Sequence, residues 1–305
     1  MPELENVHKD AILTNISVMY RNAAYVGTEI MPIVPVKKKS DIYYIYDSKD
    51  DRFRVPQTLR APKTESRTVD WKVTTGGYVC DEHALNDLID DIERDNADKP
   101  LNLEVDTVEF LTDILQLGLE MRIKDMLEAS LSANAPTNGV WSDYTTTTIN
   151  PIADIEIAKA AIHAKIFREP NVLLLGKAVY DKLKHHPKII ELIKYSQKGV
   201  LTSDLMASLF GIEKVIVGEA GYNTAKEGKT AVLSYLWGKN AILAYVEPRP
   251  GIKKFSLGYT FQAQKFQTRR ARIELKHSDW FEVGDIETEK LICVDCGYRI
   301  SPAIA

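Results

Sequence analysis

Apolar side chains recur at three- and four-residue steps through the middle of the chain for far longer than an ordinary helix requires. Val108, Leu111, Leu115, Leu119, Ile123, Met126 and Leu127 form one row, and Phe110, Ile114, Leu117 and Met121 form a second beside it. This spacing predicts a helix over 103–131, roughly eight turns or about 43 Å long. Glu104, Asp106, Glu109, Asp113, Glu120, Arg122, Lys124, Asp125 and Glu128 interrupt the stripes and exclude a membrane span. Two apolar rows need cover on two sides, so the helix reads as a rod against which other elements lie. Asn102 is the predicted N-cap, Glu104 and Asp106 suit the first turn, and Asn134-Ala135-Pro136 closes the far end.

Before the rod the pattern is extended. A mildly amphipathic segment, 11–25, leads into Met31-Pro32-Ile33-Val34-Pro35-Val36, where two prolines forbid a helix and predict an arm lying on another surface rather than in a core. Ile42-Tyr43-Tyr44-Ile45-Tyr46 and the alternation of Val69, Trp71 and Val73 predict the two arms of an antiparallel hairpin. About twenty residues of polar loop, 47–66, separate them, a length that inside a compact domain marks function or disorder. A two-stranded ribbon is not stable alone, so its aromatic side chains need a surface on their own domain or on a neighbouring subunit. Gly76-Gly77 reads as a bend or bulge in a strand. Residues 81–100 are an acidic connector in which Leu85, Leu88, Ile89 and Ile92 have the spacing of a short helix.

After a Thr-rich, turn-prone stretch, 134–150, the pattern changes to alternating helices and strands. Ile155, Ala158, Ile162 and Phe167 mark a helix, and Val172-Leu173-Leu174-Leu175 marks a strand buried on both faces. Helical turns follow at 179–183 and 189–193, then a helix through Leu205, Leu209 and Phe210 between Thr202 or Ser203 and Gly211. Strands at 215–217, 233–237 and 242–246 complete a mixed α/β unit over 152–247. The last part alternates with period two through Tyr259, Phe261 and Ala263 and through Ala271, Ile273 and Leu275, and a run at 291–294 is expected to complete a sheet against which the long helix packs.

Composition narrows the function classes. With 45% hydrophobic and 27% charged residues, the 305-residue chain has the make-up of a globular protein, and its net charge of -4 argues against gripping nucleic acid as its main task. No signal-peptide pattern or membrane-length run occurs, and an odd count of three cysteines suits a reducing cytoplasm. Cys293-Val294-Asp295-Cys296 has CxxC spacing, but only Cys80 remains to complete a zinc site, and the pair falls in a predicted strand. His185-His186 sits at a helix end where a cation suits the dipole. The connector carboxylates lack EF-hand spacing, and no Walker loop, dinucleotide fingerprint or nucleophile elbow appears. Lys37-Lys38-Lys39 and Arg52, Arg54 and Arg60 lack the interleaved aromatics of base stacking and are expected to meet acidic neighbours. No catalytic, cofactor-binding or metal residues are assigned.

The order of arm, long hairpin, acidic connector, long helix, α/β unit and charged closing sheet resembles the major capsid proteins of tailed bacteriophages with the Hong Kong 97 fold. Pro32-Ile33-Val34-Pro35-Val36 before Tyr43-Tyr44-Ile45-Tyr46 is similar to that family's arm and extended loop, and Leu59-Arg60-Ala61-Pro62 to the loop tip. Asn96-Ala97-Asp98-Lys99-Pro100-Leu101 is similar to the lead into the spine helix. His186-Pro187, Ile193-Lys194-Tyr195, Lys198-Gly199-Val200, Leu209-Phe210-Gly211 and Trp237-Gly238-Lys239-Asn240 resemble its axial-domain pattern.

The resemblance implies an α+β, Hong Kong 97-type fold. It divides the chain into an N-terminal arm (1–36), an extended hairpin loop (37–80), connector and spine helix of the peripheral domain (81–151), an axial domain (152–247) and the peripheral sheet (248–305). It further implies a non-enzymatic virion protein without cofactors, assembled in the host cytoplasm as pentamers and hexamers of an icosahedral shell around double-stranded DNA bound without sequence specificity. Scaffolding, portal and decoration proteins are the implied partners, and no membrane. A separate scaffolding protein is expected because the arm begins within about thirty residues of Met1, leaving no long scaffolding segment. Cross-linking through Lys49 and Lys63 is not expected. Inter-subunit contacts are expected at Arg52, Phe53, Arg54, Leu59, Arg60, Lys63 and Trp71. The alternatives are an encapsulin-like compartment and a soluble α/β enzyme built on the acidic connector and the CxxC pair.

Overall fold

The computed structural model describes residues 8–9, 25–45, 55–69, 74–96, 102–194, 201–251, 254 and 256–305. Its strands are β1 (His8–Lys9), β2 (Ile33–Pro35), β3 (Ser40–Ile45), β4 (Thr74–Val79), β5 (Asp81–Asp90), β6 (Ala133–Asn134) and β7 (Val172–Gly176). There follow β8 (Lys214–Gly218), β9 (Gly221–Asn223), β10 (Leu233–Tyr235), β11 (Ala241–Ala244), β12 (Gly258–Ile273), β13 (Ser278–Leu291) and β14 (Gly297–Ile300). One five-stranded sheet runs β1-β12-β13-β5 with β2 also on β12, and a second runs β6-β14-β11-β7-β8. β3 pairs with β4, and β9 with β10, as separate ribbons.

The long helix is Leu103–Ser130, as its periodicity predicts. Its first buried row serves two cores in succession. Val108, Leu111 and Leu115 pack with Ile89 of β5 and Phe281 and Val283 of β13. Leu119, Ile123 and Leu127 enter the main core with Ile30, Met31, Trp141 and Trp237. The helix therefore bridges both halves of the molecule. The second row divides: Leu117 and Met121 lie against the main core, whereas Phe110 is 61% exposed and Ile114 38%. Asn102 occupies the N-cap position, but its side chain makes no capping bond. The first turn is fixed instead by Glu104, whose carboxylate lies 3.2 Å from Arg270.

Two expectations at the N-terminal side are corrected. β2 is extended and pairs in parallel with 260–262 of β12, yet the residues just before it, Ile30 and Met31, are fully buried in the main core. The arm is thus partly core. The connector is a strand over most of its length, since β5 pairs antiparallel with β13 from Asp81↔Glu287 to Asp90↔Ser278. Among its described residues, only Asp91–Asn96 are helical. Backbone pairing along β13 overrides a helical spacing carried by four residues, and Leu85 and Ile89 face the long helix in strand phase.

The α/β half follows its pattern closely. Helix Pro151–Ile166 leads into β7, which is buried along its length between β11 and β8, and helices Lys177–Leu183, Pro187–Ile193 and Ser203–Phe210 follow in order. The last of these starts at Thr202, whose hydroxyl accepts from Leu205 N at 3.4 Å. The Thr-rich stretch is pinned by buried Asp154, which accepts from Trp141 Nε1 at 2.7 Å and Thr137 N at 2.9 Å. β12 and β13 form a long hairpin, turned by Glu274–Lys276 and by His277 in the left-handed region. The run 291–294 does not complete that sheet. β13 stops at Leu291, a turn carries Cys293 to Cys296, and β14 joins β11 in the other sheet.

Candidate inter-subunit surfaces

The hairpin exists, and its described second arm begins at Thr74: β3 pairs with β4 from Ser40↔Val79 to Ile45↔Thr74, while 70–73 of the expected arm lie outside the described residues. Gly76-Gly77 is no bulge, because the ladder runs through it in register. Its role is space: a Cβ on Gly76 would stand 2.6 Å from Cζ of Tyr43, whose ring lies across that position. Opposed residues share a face, so Tyr43 and Tyr78 project together and meet Phe261 of β12 at centroid distances of 5.5 and 4.6 Å. This face seats the ribbon on its own subunit. Ile42, Tyr44 and Val79, on the opposite face, are exposed.

Beyond the ribbon, 55–69 is an exposed loop in which Val55 is 91% and Leu59 87% accessible. Thr64 N and Oγ1 both donate to Ala61 O, at 3.3 and 2.7 Å, and Lys63 has φ of 65°. The segments 56–61 and 64–69 face one another across an open cleft. Leu59, Arg60 and Lys63 therefore share one loop, with their apolar and cationic groups exposed. Arg52, Phe53, Arg54 and Trp71 lie outside the described residues, as do Lys49 and most of 11–25.

The chemistry held open by the sequence is structural. Asp91 pairs with Arg272, and Asp279 takes Arg94, Arg270 (2.7 Å) and Arg272 (3.4 Å), tying the connector and the start of the long helix to the tip of the β12–β13 hairpin. Burial opposes ionisation of Asp279, but the two arginines nearest its charge hold the carboxyl below the ordinary range. Cys293 and Cys296 bracket a turn, and all three cysteines are free thiols. Among the described residues, no group of three or more His, Cys, Asp and Glu is placed to hold a metal ion. No described helix is long and apolar enough to cross a membrane. His186 is not a cation at a helix end. Burial and Lys188 push its pKa down, and Nδ1 accepts from Lys188 N at 3.3 Å, so the neutral ring caps helix Pro187–Ile193.

Periodicity missed the acids that hold the molecule together. Glu120 is buried and accepts from Val26 N (3.0 Å), Gly27 N (2.6 Å) and Trp237 Nε1 (2.6 Å), joining three separate segments. Gly27 permits this approach, since a Cβ there would meet Glu120 Oε2 at 2.6 Å. On β13 the inward phase of Phe281 and Val283 continues through Asp285, Glu287 and Glu289, all buried. Arg122 of the long helix donates to Glu287 at 2.8 Å and to Glu289 at 2.9 Å. The unbroken period of two was the available signal, masked because its inward positions turn acidic.

Comparison with known proteins agrees with this architecture. The family described as phage major capsid protein E matches residues 130–256. The major capsid protein of Burkholderia phage BcepMu is 33% identical over 301 residues, covering 96% of this chain and 95% of that protein. A crystal structure of a phage-related protein from Bordetella bronchiseptica superposes with a TM-score of 0.74 at 26% identity, covering 97% of each chain. The capsid protein of cyanophage P-SCSP1u shares the fold alone, with a TM-score of 0.59 at 10% identity over 90% of this chain and 87% of that one. The fold is the Hong Kong 97 type, and neither the encapsulin-like nor the enzymatic alternative is favoured. With its sequence matched nearly end to end and its long helix laid across two sheets, the chain belongs to the phage major capsid proteins, the structural shell subunits of the virion.

Proposed function

We propose that this subunit assembles as pentamers and hexamers, in the host cytoplasm, into an icosahedral shell around double-stranded DNA, with no catalytic step of its own. The observation that carries the reading is the ribbon seated on one face only. Tyr43 and Tyr78 fix it to β12, while Ile42, Tyr44, Val79 and the loop residues Val55 and Leu59 are exposed. A neighbouring copy covers them, and Leu59, Arg60 and Lys63, with Arg52, Phe53, Arg54 and Trp71, are the proposed contacts. Many weak copies of such a contact suffice in a closed shell, because each subunit is held by several neighbours at once.

In this reading the unit 152–247 meets its copies at the capsomer axes. The arm (1–36), the loop (37–80), the connector and spine (81–151) and the closing sheet (248–305) form the periphery. Scaffolding, portal and decoration proteins complete the partner set. The shell encloses the DNA without base readout, and the net charge of -4 is in keeping with a weak hold on it. Electron microscopy of the purified chain, alone and with a scaffolding protein encoded nearby, tests this. Closed shells or rings of five and six are expected. Monomers under both conditions across a salt series would overturn it.

A further inference from the structure

Asp285 stands apart from every other acid of the long hairpin. It is 2% exposed, and its Oδ1 has no hydrogen-bond partner among the described residues. Its neighbour two positions on, Glu287, is 1% exposed and fully engaged as a carboxylate: Oε1 accepts from Arg122 at 2.8 Å and Oε2 from Gln262 Nε2 at 3.2 Å. Glu289 takes the remaining direction of Arg122 at 2.9 Å. Residues two apart on a strand share a face, and the Asp285 and Glu287 carboxyls lie within hydrogen-bond reach of one another.

Among the described residues, the surrounding charges leave no second cation. From the long helix comes Arg122, already shared by Glu287 and Glu289. From β12 comes Gln262, which is neutral. From β5, His83 lies opposite Asp285 and Asp81 opposite Glu287. Burial and Arg122 both depress His83, so its ring is neutral. Two facing carboxylates without a cation between them cannot both stay ionised in a dry site.

We propose that Asp285 and Glu287 share a single proton, carried by Asp285 and donated to Glu287, and that this proton holds together the acid row of β13 on which Arg122 of the long helix is seated, making that row a pH-operated joint. The inference goes beyond the shell-forming role and stands on the cluster whether or not the shell reading holds. When the proton leaves, three carboxylates, Asp285, Glu287 and Glu289, divide one guanidinium. The repulsion then falls within the acid row itself, on the face of β13 that lies under the helix. Burial, with Glu287 next, pushes Asp285 up to about 8, which places the release just above neutrality.

The sign is fixed by linkage. The folded chain holds a proton that the unfolded chain releases near 3.8, so stability is lost as pH rises and the loss levels off above about 8. The full chain, labelled with carboxyl-13C aspartate, should show the infrared carbonyl stretch of a protonated aspartyl carboxyl at pH about 7 that fades through about 8. The label distinguishes Asp285 from Glu287 and Glu120 without any substitution. Absence of that band at neutral pH would overturn the proposal. Asp285→Asn keeps a donor toward Glu287 and removes the titration. Its folding constant relative to the parent chain should rise about tenfold per pH unit between about pH 5 and about pH 8, then level off. A ratio independent of pH would overturn the proposal equally. If the variant does not fold, the labelled band of the parent chain decides alone.

Discussion

Replacing Glu120 by Ala removes one carboxylate and strands three donors, which makes it the most direct test of how the subunit is held together. Val26 N, Gly27 N and Trp237 Nε1 all point at that carboxylate, from two separate segments, at 3.0, 2.6 and 2.6 Å. A buried donor left without a partner costs about 1–3 kcal/mol. The enlarged cavity sits among polar groups and can admit water, so the low end applies, about 3–6 kcal/mol in all. A folded domain has only about 5–15 kcal/mol to lose. At about 2 °C per kcal/mol for a chain of this size, the thermal midpoint should fall by about 6–12 °C. Glu120→Gln divides the effect. Its carbonyl can occupy the Oε1 position and keep Val26 N and Trp237 Nε1, while its amide meets Gly27 N donor to donor, a loss of about 1–3 kcal/mol. The assay is thermal or urea unfolding of the unassembled chain followed by near-ultraviolet circular dichroism, which reports buried Trp237. A loss below about 1 kcal/mol for Ala, or equal losses for Ala and Gln, would refute the three-donor account.

Reversing the charge at Arg52, Arg54 and Arg60 together should prevent shells while leaving the monomer's circular dichroism unchanged; normal shells at ordinary ionic strength would remove the loop from the assembly mechanism. Phe110→Ser with Ile114→Ser should behave similarly, because these two positions of the long helix are open in the subunit, and a lowered unfolding midpoint in place of lost assembly would show that they serve the monomer. Gly76→Val forces a Cβ to 2.6 Å from the Tyr43 ring and should unseat the ribbon from Phe261, read as new exposure of Tyr43 and Tyr78 to solvent quenchers, with a stability loss of about 1–3 kcal/mol. Asp143 is held at about 2 by Thr145 and Thr146, so its carboxyl carbon should titrate by NMR well below the ordinary 3.8, and Thr145→Ala should move the midpoint upward. Because that pKa is depressed, whatever Asp143 adds to stability is present above about 3.8 and lost as pH falls through about 2.

The features legible in the sequence are those whose burial is apolar and local. The row from Val108 to Leu127 gave the long helix to within a residue, and the run 172–175 gave a buried strand, because one repeated side-chain class marks one covered face. Where the inward face is polar, the same reasoning loses the phase. β13 was missed as a strand because Asp285, Glu287 and Glu289 continue the side of Phe281 and Val283, and only Arg122 and Gln262, far off in sequence, make that burial tolerable. β5 was misassigned for the complementary reason: its Leu85, Leu88 and Ile89, with Ile92 just beyond it, fit a helical period, and the strand that overrules it lies nearly two hundred residues away. For the proposed assembly surface the sequence located the loop, since a long polar insertion between strand patterns is visible without structure. It could not separate the seated face of the ribbon from its free face, which depends on Phe261.

Glu120 and Arg122 show why the long helix matters beyond its length. At about 100° per residue, positions two apart on a helix diverge by about 200°, so the two side chains leave the rod on opposite sides. Glu120 takes Val26, Gly27 and Trp237 and so fastens the N-terminal segment and the α/β half, while Arg122 takes Glu287 and Glu289 and so fastens the sheet of β13. A single helical turn therefore clamps both cores, and a tilt of the helix that relieves one clamp strains the other. If the two act through the rod, Glu120→Gln and Asp285→Asn should be non-additive although they share no partner, with a coupling above the roughly 0.5 kcal/mol expected of independent sites. Additive losses would mean that the helix yields locally and that the two halves of the subunit are fastened independently.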